Sequence, residues 1–193
     1  MKSNQSGRSM MEMLGVLAIV GILTTTGISL YAKALHRRKI GNTIDQFVEL
    51  STNIRNAYMH RRNYSGLSLK KNILEKGGKT ADTRRLVPDN MWSSDGKDVK
   101  NFMGGQINFE GDETKKIFYV DFRGLDKEGC TKVASSDWGK GTWVCVGGSG
   151  SPTPYKIGES LPGNCAEIQL SVGKANTNCS CTSNSCWVSW TVK

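Results

Sequence analysis

Few side chains in this sequence are placed to do chemistry, and the first of them is a carboxylate. Glu12 stands at the edge of an apolar run, and no charged residue follows it from Met13 to Ala32. Twenty helical residues rising about 1.5 Å each cover roughly 30 Å, the thickness of a bilayer's hydrocarbon core. A carboxylate there costs about 2.5–3.5 kcal/mol at the centre and less near an end. Such an acid is tolerable when a cation meets it. The bland alternative is that Glu12 lies at headgroup depth, solvated.

The second candidate set is sulfur. Cys130, Cys145, Cys165, Cys179, Cys181 and Cys186 all fall in the last third of the 193 residues. An even, clustered set in a glycine- and serine-rich region reads as a disulfide framework, and hence an oxidising compartment. Six cysteines allow 15 pairings, and sequence alone leaves them open. The rival reading is metal: Cys165, Cys179, Cys181 and Cys186 could supply four thiolates. The Cys-x-x-Cys spacing is missing and no histidine lies near, so no metal is expected. The two histidines, His36 and His60, fall on a helical stretch far from the cysteines. No Gly-x-Ser-x-Gly elbow or His-Glu-x-x-His pair is present. Gly78-Lys79-Thr80 resembles the end of a phosphate loop, but Ile73 stands where that loop needs glycine and no strand precedes it. No catalytic residue, cofactor or enzyme activity is expected.

These groups must be positioned by helix first and sheet second. Beyond the apolar run, Ile40, Ile44, Phe47, Val48, Ile54, Ala57 and Tyr58 recur mostly at three- and four-residue spacing, with Asn42, Asp45, Glu49, Asn53 and Asn56 opposite. The pattern predicts one helix from about Met10 to about Arg61, roughly 80 Å long. The alternative is two helices broken near Thr24–Gly27, where three threonines and a glycine are poor helix formers. Gly15, Gly21 and Gly27 recur six apart, and small residues let helices approach closely in membranes. Asn63–Arg85 is a polar connector with a short helix near Leu69–Lys76. Alternation then predicts strands at Ile107–Phe109, Phe118–Phe122, Trp143–Val146, Ile168–Val172 and Trp187–Val192, the last closing the sheet. Gly111–Thr114 reads as a hairpin loop, and residues 130–138 as a short helix.

The formal net charge is +9. A basic balance suits nucleic acid, anionic lipid or acidic surfaces, but the cations are scattered apart from Lys33, His36, Arg37, Arg38 and Lys39. By the positive-inside bias that cluster would hold the C-terminal part in the cytoplasm. The cysteines argue the opposite and carry more weight, because six reduced surface thiols would be reactive.

Three readings of the N-terminus compete. A secretory signal peptide fits the basic start and the small residues at Thr24–Gly27, but the chain stays helix-like well beyond any cut. A one-pass anchor fits the length and leaves Glu12 unexplained. The third rests on Ser6-Gly7-Arg8-Ser9-Met10-Met11-Glu12, which resembles the processing motif of the type IV pilin and pseudopilin family. There a short leader ending in glycine is removed by a prepilin peptidase, and a glutamate becomes the fifth residue of the trimmed chain. The resemblance implies a cut between Gly7 and Arg8, methylation of the new amine, and pairing of Glu12 with the α-amino group of a neighbouring subunit. The family's first residue is usually Phe, Met or another apolar residue; here it is Arg8. Val87-Pro88-Asp89 with Trp92, then Phe102-x-Gly104-Gly105-x-Ile107-x-Phe109, Phe118-x-Val120-x-Phe122 and Gly124-Leu125 before Cys130 resemble the type IVb pilin head. The family also implies that Cys130 bonds to a cysteine near the C-terminus; three compete. Closing a loop of about fifty residues removes on the order of 4 kcal/mol of chain entropy.

The resulting expectation is an α+β chain: leader 1–7, long N-terminal helix 8–62 with its membrane-spanning part at about 13–32, and head 63–193. The helix would pack on an antiparallel sheet whose C-terminal loop is tied by disulfides. The implied function is a structural pilus subunit, inserted in membrane lipid at the inner membrane with its head outside. A prepilin peptidase and assembly machinery would then place it in an extracellular homopolymer serving adhesion, conjugation or secretion. The rival functions are a minor or secretion pseudopilin and a membrane-tethered module binding DNA or a host surface.

Overall fold

A computed structural model describes residues 6–80 and 83–193, with side chains for all of these except residues 6–9 and 72. Residues 1–5 of the expected leader lie outside the described residues. The chain forms two compact units, residues 1–39 and 40–193.

Helix α1 (Ser6–Ala57) is continuous. At about 1.5 Å per residue it measures about 78 Å. No break occurs at Thr24–Gly27. The Thr24 hydroxyl donates to the Val20 carbonyl at 2.7 Å, and those of Thr25 and Thr26 donate to the Ile22 carbonyl at 3.0 Å. Turning their hydroxyls onto the preceding turn satisfies these side chains within the helix. The helix stops four residues short of the expected Arg61. Met59 N–H bonds back only three residues, to Asn56, and Arg61 N–H closes a tight turn on the Tyr58 carbonyl. Tyr58 then packs against Tyr64, centroids 5.3 Å apart.

In the second unit, α1 buries Ile40, Thr43, Gln46, Phe47, Leu50, Ser51 and Ile54, a single stripe at three- and four-residue spacing. It covers one face of a five-stranded sheet made of β1 (Ile107–Gly111), β2 (Phe118–Leu125), β3 (Thr142–Gly147), β4 (Cys165–Glu167) and β5 (Cys186–Val192). The strand order is β1-β2-β5-β3-β4, and every pairing is antiparallel. The last strand therefore runs through the middle of the sheet and does not close it. All seven of its residues are buried, as a centre strand covered on both faces requires.

The register lays two rows across the sheet. Phe109, Val120, Trp190 and Val144 are successive partners, all buried. Side chains alternate between faces, so the next row, Asn108, Asp121, Ser189 and Cys145, lies on the opposite face. The apolar row meets α1, where Phe47 stacks on Trp190 and meets Trp138 and Phe122 edge-on. Among the described residues the indole N–H of Trp190 has no hydrogen-bond acceptor, and the rings of Phe122 and Trp138 pack against the indole in T-shaped contacts, centroids 5.1 and 5.2 Å apart.

The connector is less polar inside than its composition suggests. Tyr64, Leu67, Leu69 and Ile73 are buried, and Leu69–Leu74 forms one wide helical turn. Its hydrogen bonds span five residues, as from Glu75 N–H to the Lys70 carbonyl. Helix α2 (Lys127–Ala134) begins three residues before Cys130, because Asp126 caps it by accepting from Gly129 N–H at 2.9 Å. The strand expected at Ile168–Val172 is absent. Ile168 has φ +71°, Leu170 alone of the three apolar residues is buried, and Ser171 caps helix α3 (Val172–Asn178). The strand at this edge is β4, three residues earlier.

Gly105 is required by a close backbone approach. A Cβ there would lie 1.8 Å from the Arg123 carbonyl oxygen, opposite Gly124 at φ +71°. Asn101, buried just upstream, fixes the same turn by donating to the Arg123 carbonyl at 2.8 Å and accepting from Met103 and Gly105 N–H.

Candidate functional site

In the first unit nearly every described side chain of the helix is exposed. Met13 is 68% exposed, Leu17 65% and Leu23 64%, and the other large apolar residues from Met10 to Tyr31 range from 51% to 80%. An 18-residue window of this helix reaches a mean hydropathy of 2.0, long and apolar enough to cross a membrane. No space next to Gly15, Gly21 or Gly27 is filled by other parts of the chain, so a neighbouring backbone could come close there. An apolar surface of this extent is what water expels, and it marks a site for lipid or protein.

Glu12 sits within that surface. It shares a shallow hollow with Met13, Val16 and Leu17, because residues one helical turn apart stack on one side. Gly7 and Arg8 occupy the first turn of α1, within five residues of Glu12.

The cysteines lie in the other unit and do different work. Cys130–Cys179 ties α2 to the end of α3 across 49 residues. Cys145–Cys165 staples β3 to β4, where the two are register partners. Cys181–Cys186 closes a small loop before β5. Of the three candidates for Cys130, its partner is therefore Cys179. All six thiols are consumed, so the four-thiolate arrangement has no ligands to offer, and no metal-binding cluster occurs among the described residues.

Among the described residues, the sheet face opposite α1 carries one buried acid. Asp121 is 8% exposed and accepts from the Ser189 hydroxyl at 2.5 Å. Burial pushes its carboxyl above the ordinary range, against the opposing pull of Ser189, Arg123 and Asn108. The segment before β4 covers the neighbouring strands: Tyr155 packs on Cys145, Cys165 and Trp187, and its carbonyl accepts from the Thr191 hydroxyl at 2.6 Å.

An unpartnered apolar helix in one unit and a disulfide-tied antiparallel head in the other are the parts of a polymer subunit, those of a type IV pilin. Residues 32–193 match the bundlin family. The chain also resembles two proteins called major structural subunit of bundle-forming pilus, from Escherichia coli O127:H6 (strain E2348/69 / EPEC) and Escherichia coli O111:H-. Each is 25% identical over 197 residues, covering 100% of this chain and 96% of the relative. The chain belongs to the bundlin family and is a type IV pilin of the IVb kind, a structural subunit of a pilus.

Proposed function

We propose that the chain is made as an inner-membrane precursor with its head outside. A prepilin peptidase cuts it between Gly7 and Arg8, and assembly machinery moves it into an extracellular homopolymer. The leader is then residues 1–7, the segment 8–62 carries the long helix and the turns that end it, and the head is 63–193. The single observation behind this reading is the exposed apolar half of α1 with one carboxylate at its edge. In lipid the apolar side chains are satisfied but Glu12 is not; among parallel copies both are. The α-amino group of Arg8 on one copy meets Glu12 of the next and fixes their axial register. The relatives named for a bundle-forming pilus support a fibre of that sort here.

Intact-mass spectrometry of subunits sheared from cells, without reduction, tests the sequence of events. The expected mass begins at Arg8, includes three disulfides and reports any methyl group on the new amine. Subunits that still carry residues 1–7 overturn the proposal.

A further inference from the structure

The exposed side of α1 in the second unit is polarised along its length. Asp45, Val48, Glu49, Thr52, Arg55 and Asn56 are all exposed, and their spacing places them on one stripe. Its upstream end is acidic around an apolar centre, with Val48 50% exposed between Asp45 and Glu49. Neither carboxylate has an ion-pair partner among the described residues. Its downstream end opens into a hollow with a cationic rim and an apolar floor. Arg55, Lys115 and Lys116 line that hollow together with Met59, Ile117 and Ile157. Among the described residues, Lys115 and Lys116 reach backbone carbonyls alone, those of Ile157 and Met59, each at a long 3.5 Å. No carboxylate side chain lines the hollow. The nearby Asp112 is turned into its own loop, where N–H groups of Thr114 and Lys115 hold its carboxyl below the ordinary range.

Two unlike patches on one molecule, each complementary to the other, cannot satisfy themselves within a single copy. We propose that the acidic end of this stripe on one copy docks into the basic hollow of a second copy. Asp45 and Glu49 would face Arg55, Lys115 and Lys116, and Val48 would enter over Met59 and Ile117. Contact between unlike patches is heterologous and, where its rotation does not close a ring, propagates into an open helical array. Between parallel copies it needs an axial offset of about 9–15 Å, the rise over the six to ten residues separating Glu49 or Asp45 from Arg55. A polyanion such as nucleic acid fits less well, because the floor is aliphatic and the one aromatic lining residue, Tyr64, is buried. The inference rests on the homopolymer reading and adds a head contact to it.

The test exchanges charge in the full-length chain. One variant carries Asp45→Lys and Glu49→Lys, a second carries Arg55→Glu, Lys115→Glu and Lys116→Glu, and a third carries all five. Folding is read by non-reducing mobility and protease resistance of the membrane-held pool, and assembly by the yield of sheared fibres. The expected result is a loss of more than about ten-fold in fibre yield for each of the first two at an unchanged folded pool, and recovery in the third. Mixed expression of the first two variants with the unaltered chain is expected to give shortened fibres. Wild-type yield from either partial variant, with its fold intact, overturns the docking while leaving the pilin reading standing. So does failure of the five-fold variant to recover when it is folded. If the unaltered chain forms no fibres at all, the homopolymer reading itself fails.

Discussion

Phe47 of α1 lies stacked on Trp190 of the central strand, ring centroids 4.2 Å apart and planes 23° from parallel. This contact seats the second half of the helix on the sheet. Both residues are essentially dry, and Trp138 and Phe122 enclose the pair edge-on.

Truncating either ring would therefore leave a cavity that its rigid aromatic neighbours cannot fill. Phe47→Ala is expected to destabilise the detergent-solubilised chain by about 3–5 kcal/mol. Thermal unfolding followed by tryptophan fluorescence measures this. A loss under about 1 kcal/mol would mean that the helix is held mainly elsewhere, for instance through Gln46. That side chain bridges to the loop before β1, accepting from Phe102 N–H at 3.0 Å.

The three disulfides are unequal. Cys130–Cys179 closes 49 residues of sequence, whereas Cys181–Cys186 closes five. In the chain-entropy account the longer loop contributes about 4 kcal/mol. The double replacement of Cys130 and Cys179 by Ser is expected to lower Tm by about 10 °C or more. Replacing Cys181 and Cys186 should lower it by clearly less. Equal losses from the two pairs would contradict the loop-length argument.

Asp121 gives the head a pH dependence with an unusual sign. Its folded value lies above the ordinary 3.8, chiefly through burial. The folded state therefore holds the proton more tightly than the unfolded chain does. The stability it confers is complete below the unfolded value and is lost as pH rises through the folded one. Asp121→Asn keeps an oxygen that can accept from the Ser189 hydroxyl and removes the titration. Relative to the unaltered chain, the Tm of this variant is expected to improve as pH rises from the ordinary carboxylate range toward neutrality. A constant or falling difference across that range would contradict the assignment.

The legibility of the chain followed the strength of its periodicity. The long helix, the β1–β2 hairpin and β5 all stand on apolar spacing that survives into the fold. Ile168–Val172 had the same alternation, but a positive φ at Ile168 and a cap at Ser171 turned it into the entry of a helix. Short-range pattern does not report those two features. The central place of β5 was hidden for a different reason: strand order is set by pairing across distant sequence, while the pattern of one strand shows only which of its faces are covered. The partner of Cys130 was hidden likewise, since it depends on α3 coming to lie beside α2. In the candidate site, Glu12 and its apolar setting were plain from charge and length alone. The basic hollow was not, because Arg55, Lys115 and Lys116 converge from segments sixty residues apart.

In the proposed polymer a copy's Glu12 needs a neighbour's trimmed amine, and polymerisation answers this need. Glu12→Gln keeps the shape and removes the charge. Fibres sheared from cells, quantified against the membrane-held pool of the same chain, measure the effect. A normal membrane pool and a fall in fibre yield of more than about ten-fold are expected, the loss of one charged pair in a low-dielectric setting. Fibres at the yield of the unaltered chain would contradict it.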